Sequence, residues 1–168
     1  MRILFLGYNS KETSLIDFLR NRKHEVVCIS DKTEKLTNFD MVISFGYRFL
    51  FKKYQLLNLK RPIINLHISY LPYNRGTHPN FWSHYEGTPS GVTIHEIDDG
   101  VDTGPIMYQK KILFTNNQLS LKESYKILKL EIEKLFTKNI LLIETFQYET
   151  TIIKELGTYH EKRDLPAW

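Results

Sequence analysis

Asn65 and His67 stand two residues apart in the stretch Ile63 to Gly76, IINLHISYLPYNRG. Side chains two apart on an extended chain project to the same side, so an amide donor and an imidazole share one face. About thirty residues on, Asp98, Asp99 and Asp102 crowd the segment DDGVDTGPI together with Gly100 and Gly104. Amide, imidazole and carboxylate are the parts of an acyl-transfer site: a donor for an oxyanion, a group that titrates near neutrality, and an acid to orient it. Each has a plainer reading as well. Asn65 and His67 would also serve as a satisfied polar pair at a strand end, and an acidic loop is commonly a solvated turn. A calcium loop is disfavoured, because the EF-hand spacing and its closing Glu are absent. Val101 before Asp102 and Thr103-Gly104-Pro105 after it restrain the backbone around that carboxylate.

These residues need elements to hold them. Arg2 to Leu6 is a short aliphatic run, Leu15, Phe18 and Leu19 recur at helical spacing, and Glu25 to Ile29 resumes a β-branched run, which predicts strand, helix, strand. Met41 to Phe45, a helix from about Phe49 to Leu57, and a strand over Pro62 to Leu66 follow. Continuous apolar runs between helical patterns predict a parallel sheet buried on both faces, hence a doubly wound α/β fold. Asn65 and His67 then lie at strand C-termini, where ligands bind in such sheets. Gly91 to Ile97 and Ile106 to Phe114 read as two further strands bracketing the polar loop. Ser120 with Glu123 forms a capping box, opening one long amphipathic helix through Ile127, Leu128, Ile132, Leu135, Phe136, Leu142, Ile143 and Phe146. Gly157 to Trp168 lacks periodicity and is expected to lie over the body as a tail.

Length and composition exclude several classes. With 168 residues, 42% of them hydrophobic and 25% charged, the chain should fold as a single domain spanning 1–168. Cys28 is the sole cysteine, so no internal disulfide and no cysteine-rich metal site is possible, and a reducing cytoplasm is the expected compartment. Lys and Arg exceed Asp and Glu by only four, 23 against 19, without a basic stripe; nucleic acid is therefore not an expected partner. The longest aliphatic run, Ile140 to Ile143, is too short for a membrane span. His78, His84 and His95 match no metal-ligand spacing, so no metal is expected.

NLHISYLPYNRG, followed by GVTIHEIDDGVDTGPI, closely resembles the catalytic core of the N10-formyltetrahydrofolate-dependent formyltransferases. The resemblance runs from about Phe45 to Lys110. It implies a Rossmann-like formyltransferase fold and a catalytic triad of Asn65, His67 and Asp102. It also implies N10-formyltetrahydrofolate as formyl donor, held by Phe45, Gly46, Tyr47, Arg48, Phe49 and Leu50 and by Glu96, Ile97, Asp98, Asp99, Gly100 and Val101. In that reading Asn65 and His67 stabilise the oxyanion, His67 carries the proton, and Asp102 orients His67 and favours its charged form. Asp98 and Asp99 serve the loop fold rather than the chemistry.

Two departures from the larger relatives narrow the acceptor. About ten residues separate the second strand from Asp40, where a helix, an edge strand and another helix are usual, so one edge unit is expected to be missing. These 168 residues also hold no counterpart of the C-terminal barrel that methionyl-tRNA formyltransferases use on tRNA. The turn from Gly7 to Glu12 has one glycine and no GxGxxG, a poor phosphate grip for glycinamide ribonucleotide. Asn74 to Trp82, NRGTHPNFW, is instead similar to the sugar N-formyltransferases, which implies a nucleotide-activated amino sugar such as a 4-amino-4,6-dideoxy sugar, with Tyr73, Arg75, Gly76 and Trp82 as candidate contacts. Core packing at a helix start is the favoured reading for Phe81 and Trp82. The rivals are a glycinamide ribonucleotide formyltransferase, a formyltetrahydrofolate hydrolase and a catalytically silent folate-binding module. The pattern fits monomer or homodimer alike, and Leu71-Pro72 is a candidate cis peptide.

Overall fold

The computed structural model describes residues 1–114 and 119–167. Strand β1 (Arg2–Gly7) carries Ile3, Leu4, Phe5 and Leu6 with no solvent exposure, because alternate side chains enter different layers. Ile3 and Phe5 face helix α1 (Leu15–Asn21), and Leu4 and Leu6 face Leu36, Val42 and Ile63 on the other side. Strands β2 (Glu25–Ile29) and β3 (Met41–Phe45) flank β1 in parallel. β2 is one edge of the sheet, as the short link to Asp40 predicts.

Helix α2 (Lys53–Leu57) is shorter than the helix expected from Phe49. The Lys52 N–H donates to Gln55 Oε1 at 2.8 Å and caps the helix there, while Tyr47 stacks on Phe51 at 5.4 Å and holds the preceding chain irregular. Strand β4 (Ile64–His67) pairs parallel to β3, so both Asn65 and His67 are in the strand. Beyond it come the cis Leu71-Pro72 bond, a two-residue strand β5 (Arg75–Gly76) and helix α3 (Pro79–Glu86).

Strands β6 (Gly91–Glu96) and β7 (Ile106–Lys111) form the expected hairpin and complete the sheet in the order β2-β1-β3-β4-β6-β7, with β4, β6 and β7 antiparallel neighbours. The fold is thus α/β with a mostly parallel sheet. Helix α4 (Leu121–Lys138) opens on the Ser120–Glu123 box and buries Leu128, Ile132 and Phe136. The single long helix is corrected to two: Asn139 turns its Nδ2–H onto the Leu135 carbonyl at 2.8 Å, and α5 (Ile140–Thr145) restarts beyond it. Ile140 and Ile143 stay on the same core, so apolar spacing alone does not reveal the break. The tail does lie on the body: β8 (Tyr159–His160) pairs parallel with β5, and a 3-10 turn covers Lys162–Asp164. Trp168 lies outside the described residues. No described helix is long and apolar enough to cross a membrane.

Candidate active site

The β4–β6 register sets Asn65 opposite His95 and His67 opposite Thr93. Asp102 reaches this pair from the β6–β7 loop. Asp98 Oδ1 accepts the Gly100 N–H at 3.0 Å and the Thr103 hydroxyl at 2.7 Å, folding the loop tightly. Asp102 itself sits at φ +51°, a left-handed conformation that costs a non-glycine residue energy and persists only where surrounding contacts enforce it.

Four groups meet the Asp102 carboxylate. The Asn65 amide donates to Oδ1 at 3.3 Å, the Gly76 N–H donates to Oδ2 at 2.9 Å, and His95 Nε2 and His67 Nδ1 lie 3.4 and 3.7 Å from Oδ1. Gly76 has φ +89°, and a Cβ there would stand 2.3 Å from the His160 carbonyl oxygen, so only glycine brings this N–H to the carboxylate. Burial pushes the Asp102 carboxyl up, but attraction to His67 in its protonated form and the Gly76 N–H outweigh it and hold the group well below the usual carboxylate range. Asp102 is therefore an anion.

Burial drives the His67 imidazole down, and the attraction of Asp102 does not reverse it. Asp102 does favour the charged imidazole, as expected, but burial outweighs it and His67 rests neutral. Its Nε2–H points at the Asn74 carbonyl at 3.3 Å, which leaves Nδ1 as the basic nitrogen on the Asp102 side.

His95 is the site residue that sequence reasoning missed, having been weighed only as a metal ligand. Its Nδ1–H donates to the Glu96 carbonyl at 2.8 Å, and Nε2 accepts from Asn65 Nδ2 at 3.0 Å. A usable signal was present, since Thr93 and His95 alternate on one face of an otherwise apolar strand. Among the described residues, no three His, Cys, Asp or Glu side chains form a group that could hold a metal ion.

The two segments implied for the folate come together. Ile97 packs in the same cluster as Tyr47 and Phe51, and Lys53 Nζ lies 3.3 Å from Asp99 Oδ2 across the gap. Arg48, Phe49 and Leu50 are exposed, Gly46 takes φ +73°, and Glu96 accepts the Tyr148 hydroxyl at 3.0 Å. Phe45 is the exception: its ring is core, edge-on to Tyr8 at 4.8 Å, and offers no side-chain contact.

Of the candidate acceptor contacts, Tyr73 and Arg75 are half-buried, and Arg75 Nε has no partner among the described residues. Gly76 serves Asp102 directly. Trp82 is corrected: it is 5% exposed and its face is covered by the His160 ring, stacked at 3.9 Å and 8°. Core packing is its role. A cavity of about 310 Å³, lined by Ile68, His78, Asn80, Phe81, Lys122 and Tyr125, opens next to this region, within the size range of small-ligand sites.

The formyl transferase family model matches residues 19–139. The chain is similar to the formyltransferase PseJ from Anoxybacillus kamchatkensis, solved in complex with UDP-4,6-dideoxy-4-formamido-L-AltNAc and tetrahydrofolate, at 40% identity and TM-score 0.91, covering 98% of this chain and 87% of that one. It also resembles dTDP-4-amino-4,6-dideoxyglucose formyltransferase of Mycobacterium bovis (38% identical over 46% of this chain and 32% of the relative) and GDP-perosamine N-formyltransferase of Brucella melitensis (32% identical over 62% and 43%). The match thus spans less than half the length of these curated relatives. With a family model over most of its length and a 40% identical structure along nearly all of it, this chain belongs to the formyl transferase family.

Proposed function

We propose that residues 1–168 act as one catalytic domain that transfers the formyl group of N10-formyltetrahydrofolate to the amine of a nucleotide-linked amino sugar, with a UDP-linked 4-amino-4,6-dideoxy sugar as the first candidate. The observation that carries this reading is the convergence of Asn65, His67 and Asp102 at the strand ends, in a chain that matches PseJ over 98% of its length. In the transfer the amine nitrogen bonds to the formyl carbon, the bond from that carbon to N10 breaks, the amine gives up a proton and N10 receives one. Asn65 keeps its 3.0 Å bond to His95 and turns its longer one, at 3.3 Å, from Asp102 to the developing oxyanion. Neutral His67 takes the proton, and the Asp102 anion compensates the charge that results.

The test is mass spectrometry after incubation with labelled N10-formyltetrahydrofolate and UDP-, dTDP- and GDP-linked amino sugars, glycinamide ribonucleotide, or no acceptor, with Asp102→Asn as control. A labelled adduct on one amino sugar, absent in the control, is the expected result. An adduct on the ribonucleotide alone overturns the acceptor, free formate without acceptor means hydrolysis, and folate binding with no product means a silent module.

A further inference from the structure

β5 is outside the main sheet, and its sheet partner is β8. Yet the Asn74–Thr77 segment supplies the carbonyl that meets His67 and the N–H that meets Asp102. Thr88 holds the Asn74 side chain, accepting from Nδ2 at 2.8 Å and donating to Oδ1 at 3.1 Å, but the backbone of the segment is held by residues 158–160. The Asn74 N–H donates to Thr158 Oγ1 at 2.7 Å, the Arg75 N–H to the Thr158 carbonyl at 2.9 Å, and the Thr77 N–H to the His160 carbonyl at 3.0 Å. The Thr158 hydroxyl in turn donates to Asn74 Oδ1 at 3.2 Å. β8 is itself fastened: the His160 ring lies flat on Trp82, and its Nε2 is 3.2 Å from Glu86 Oε2. Gly157 passes so close to Pro72 that a Cβ would stand 1.7 Å from the Pro72 carbonyl oxygen.

We propose that Thr158 and His160 are positioning residues of the active site, holding Asn74 and Gly76 in register so that His67 keeps its proton on Nε2 and Asp102 keeps its N–H partner. Asn74 has φ +57°, a left-handed conformation that a non-glycine residue leaves once its restraints are released, and Gly76 at φ +89° is free to move with it. With β8 loosened, the Asn74 carbonyl drifts from His67, the imidazole samples both tautomers, and the Gly76 N–H leaves the carboxylate. For turnover, the inference rests on the formyl-transfer reading. Its structural core does not.

The experiment compares the full chain with Thr158→Val, which removes the hydroxyl at nearly constant shape, with Gly157→Ala, which drives β8 off Pro72, and with the conservative Thr158→Ser. Long-range proton–nitrogen NMR of the imidazoles at neutral pH should show His67 as the Nε2–H tautomer in the native chain and in Thr158→Ser. Thr158→Val and Gly157→Ala should show a tautomer mixture, with the Gly76 amide proton moved upfield. For the same two variants kcat should fall about tenfold or more with KM little changed, the cost of misplacing a reacting group slightly. Unchanged His67 and Gly76 signals in Gly157→Ala, or a rate loss that only tracks the unfolded fraction in thermal melts, would overturn the proposal. Absence of turnover in the native chain would sink formyl transfer alone, since the tautomer measurement still decides the positioning.

Discussion

β3 and β6 are buried to nearly the same depth, but β6 turns one of its two faces over to polar side chains. β3 is Met-Val-Ile-Ser-Phe, and four of its five side chains enter apolar clusters on the two faces of the sheet. β6 hides Thr93 and His95 at 0% and 1% exposure, and both are hydrogen-bonded. Thr93 donates to the Ser69 carbonyl at 2.7 Å and accepts from Gln109 and Leu71, while His95 bridges Glu96 and Asn65. A buried polar group without a partner costs on the order of 1–3 kcal/mol, so such groups accumulate only where a network receives them. β3 is thus given almost wholly to the core, whereas β4 and β6, which meet antiparallel, carry the polar side chains of the candidate site.

Predictions that would break this division run from large to small. Asp102→Asn should lower kcat by about 10⁴-fold, the upper end for loss of acid–base function, while thermal melts stay close to native; a small kinetic effect would move the chemistry elsewhere. Asn65→Ala should cost about 10²- to 10³-fold in steady-state rate, the range for one oxyanion donor. Ile43→Ala, in β3, should remove about 2–5 kcal/mol of stability in urea titration yet leave turnover per folded molecule near native. Equal kinetic damage from Ile43→Ala and Asn65→Ala would erase the distinction between β3 and the strands of the site.

The smallest effect is on pH dependence. His67 has a folded pKa below its unfolded value, so between the two the unfolded chain holds more protons. Its contribution to stability is present above about pH 6.5 and is lost as pH falls toward the lower folded value. Urea titrations at successive pH values should show that loss in the native chain and a shallower one in His67→Gln; identical slopes would mean that His67 is not buried neutral.

Much of this was legible locally. The apolar runs marked β1, β3 and β6, and the Ser120 box marked the start of α4, because burial and capping act on neighbouring residues. Asn65 and His67 were readable as a pair because strand geometry alone sets them on one face, and the motif around Asp102 pointed to the same site. Only the tertiary structure decided that His95 faces Asn65 across a strand boundary, that Trp82 belongs to His160, that Asn139 divides the last helices, and that burial keeps His67 neutral against the pull of Asp102. Periodicity records which side of an element is apolar, not which distant segment covers it. Contacts such as Asn74 with Thr158, 84 residues apart, arise only when the whole chain has closed.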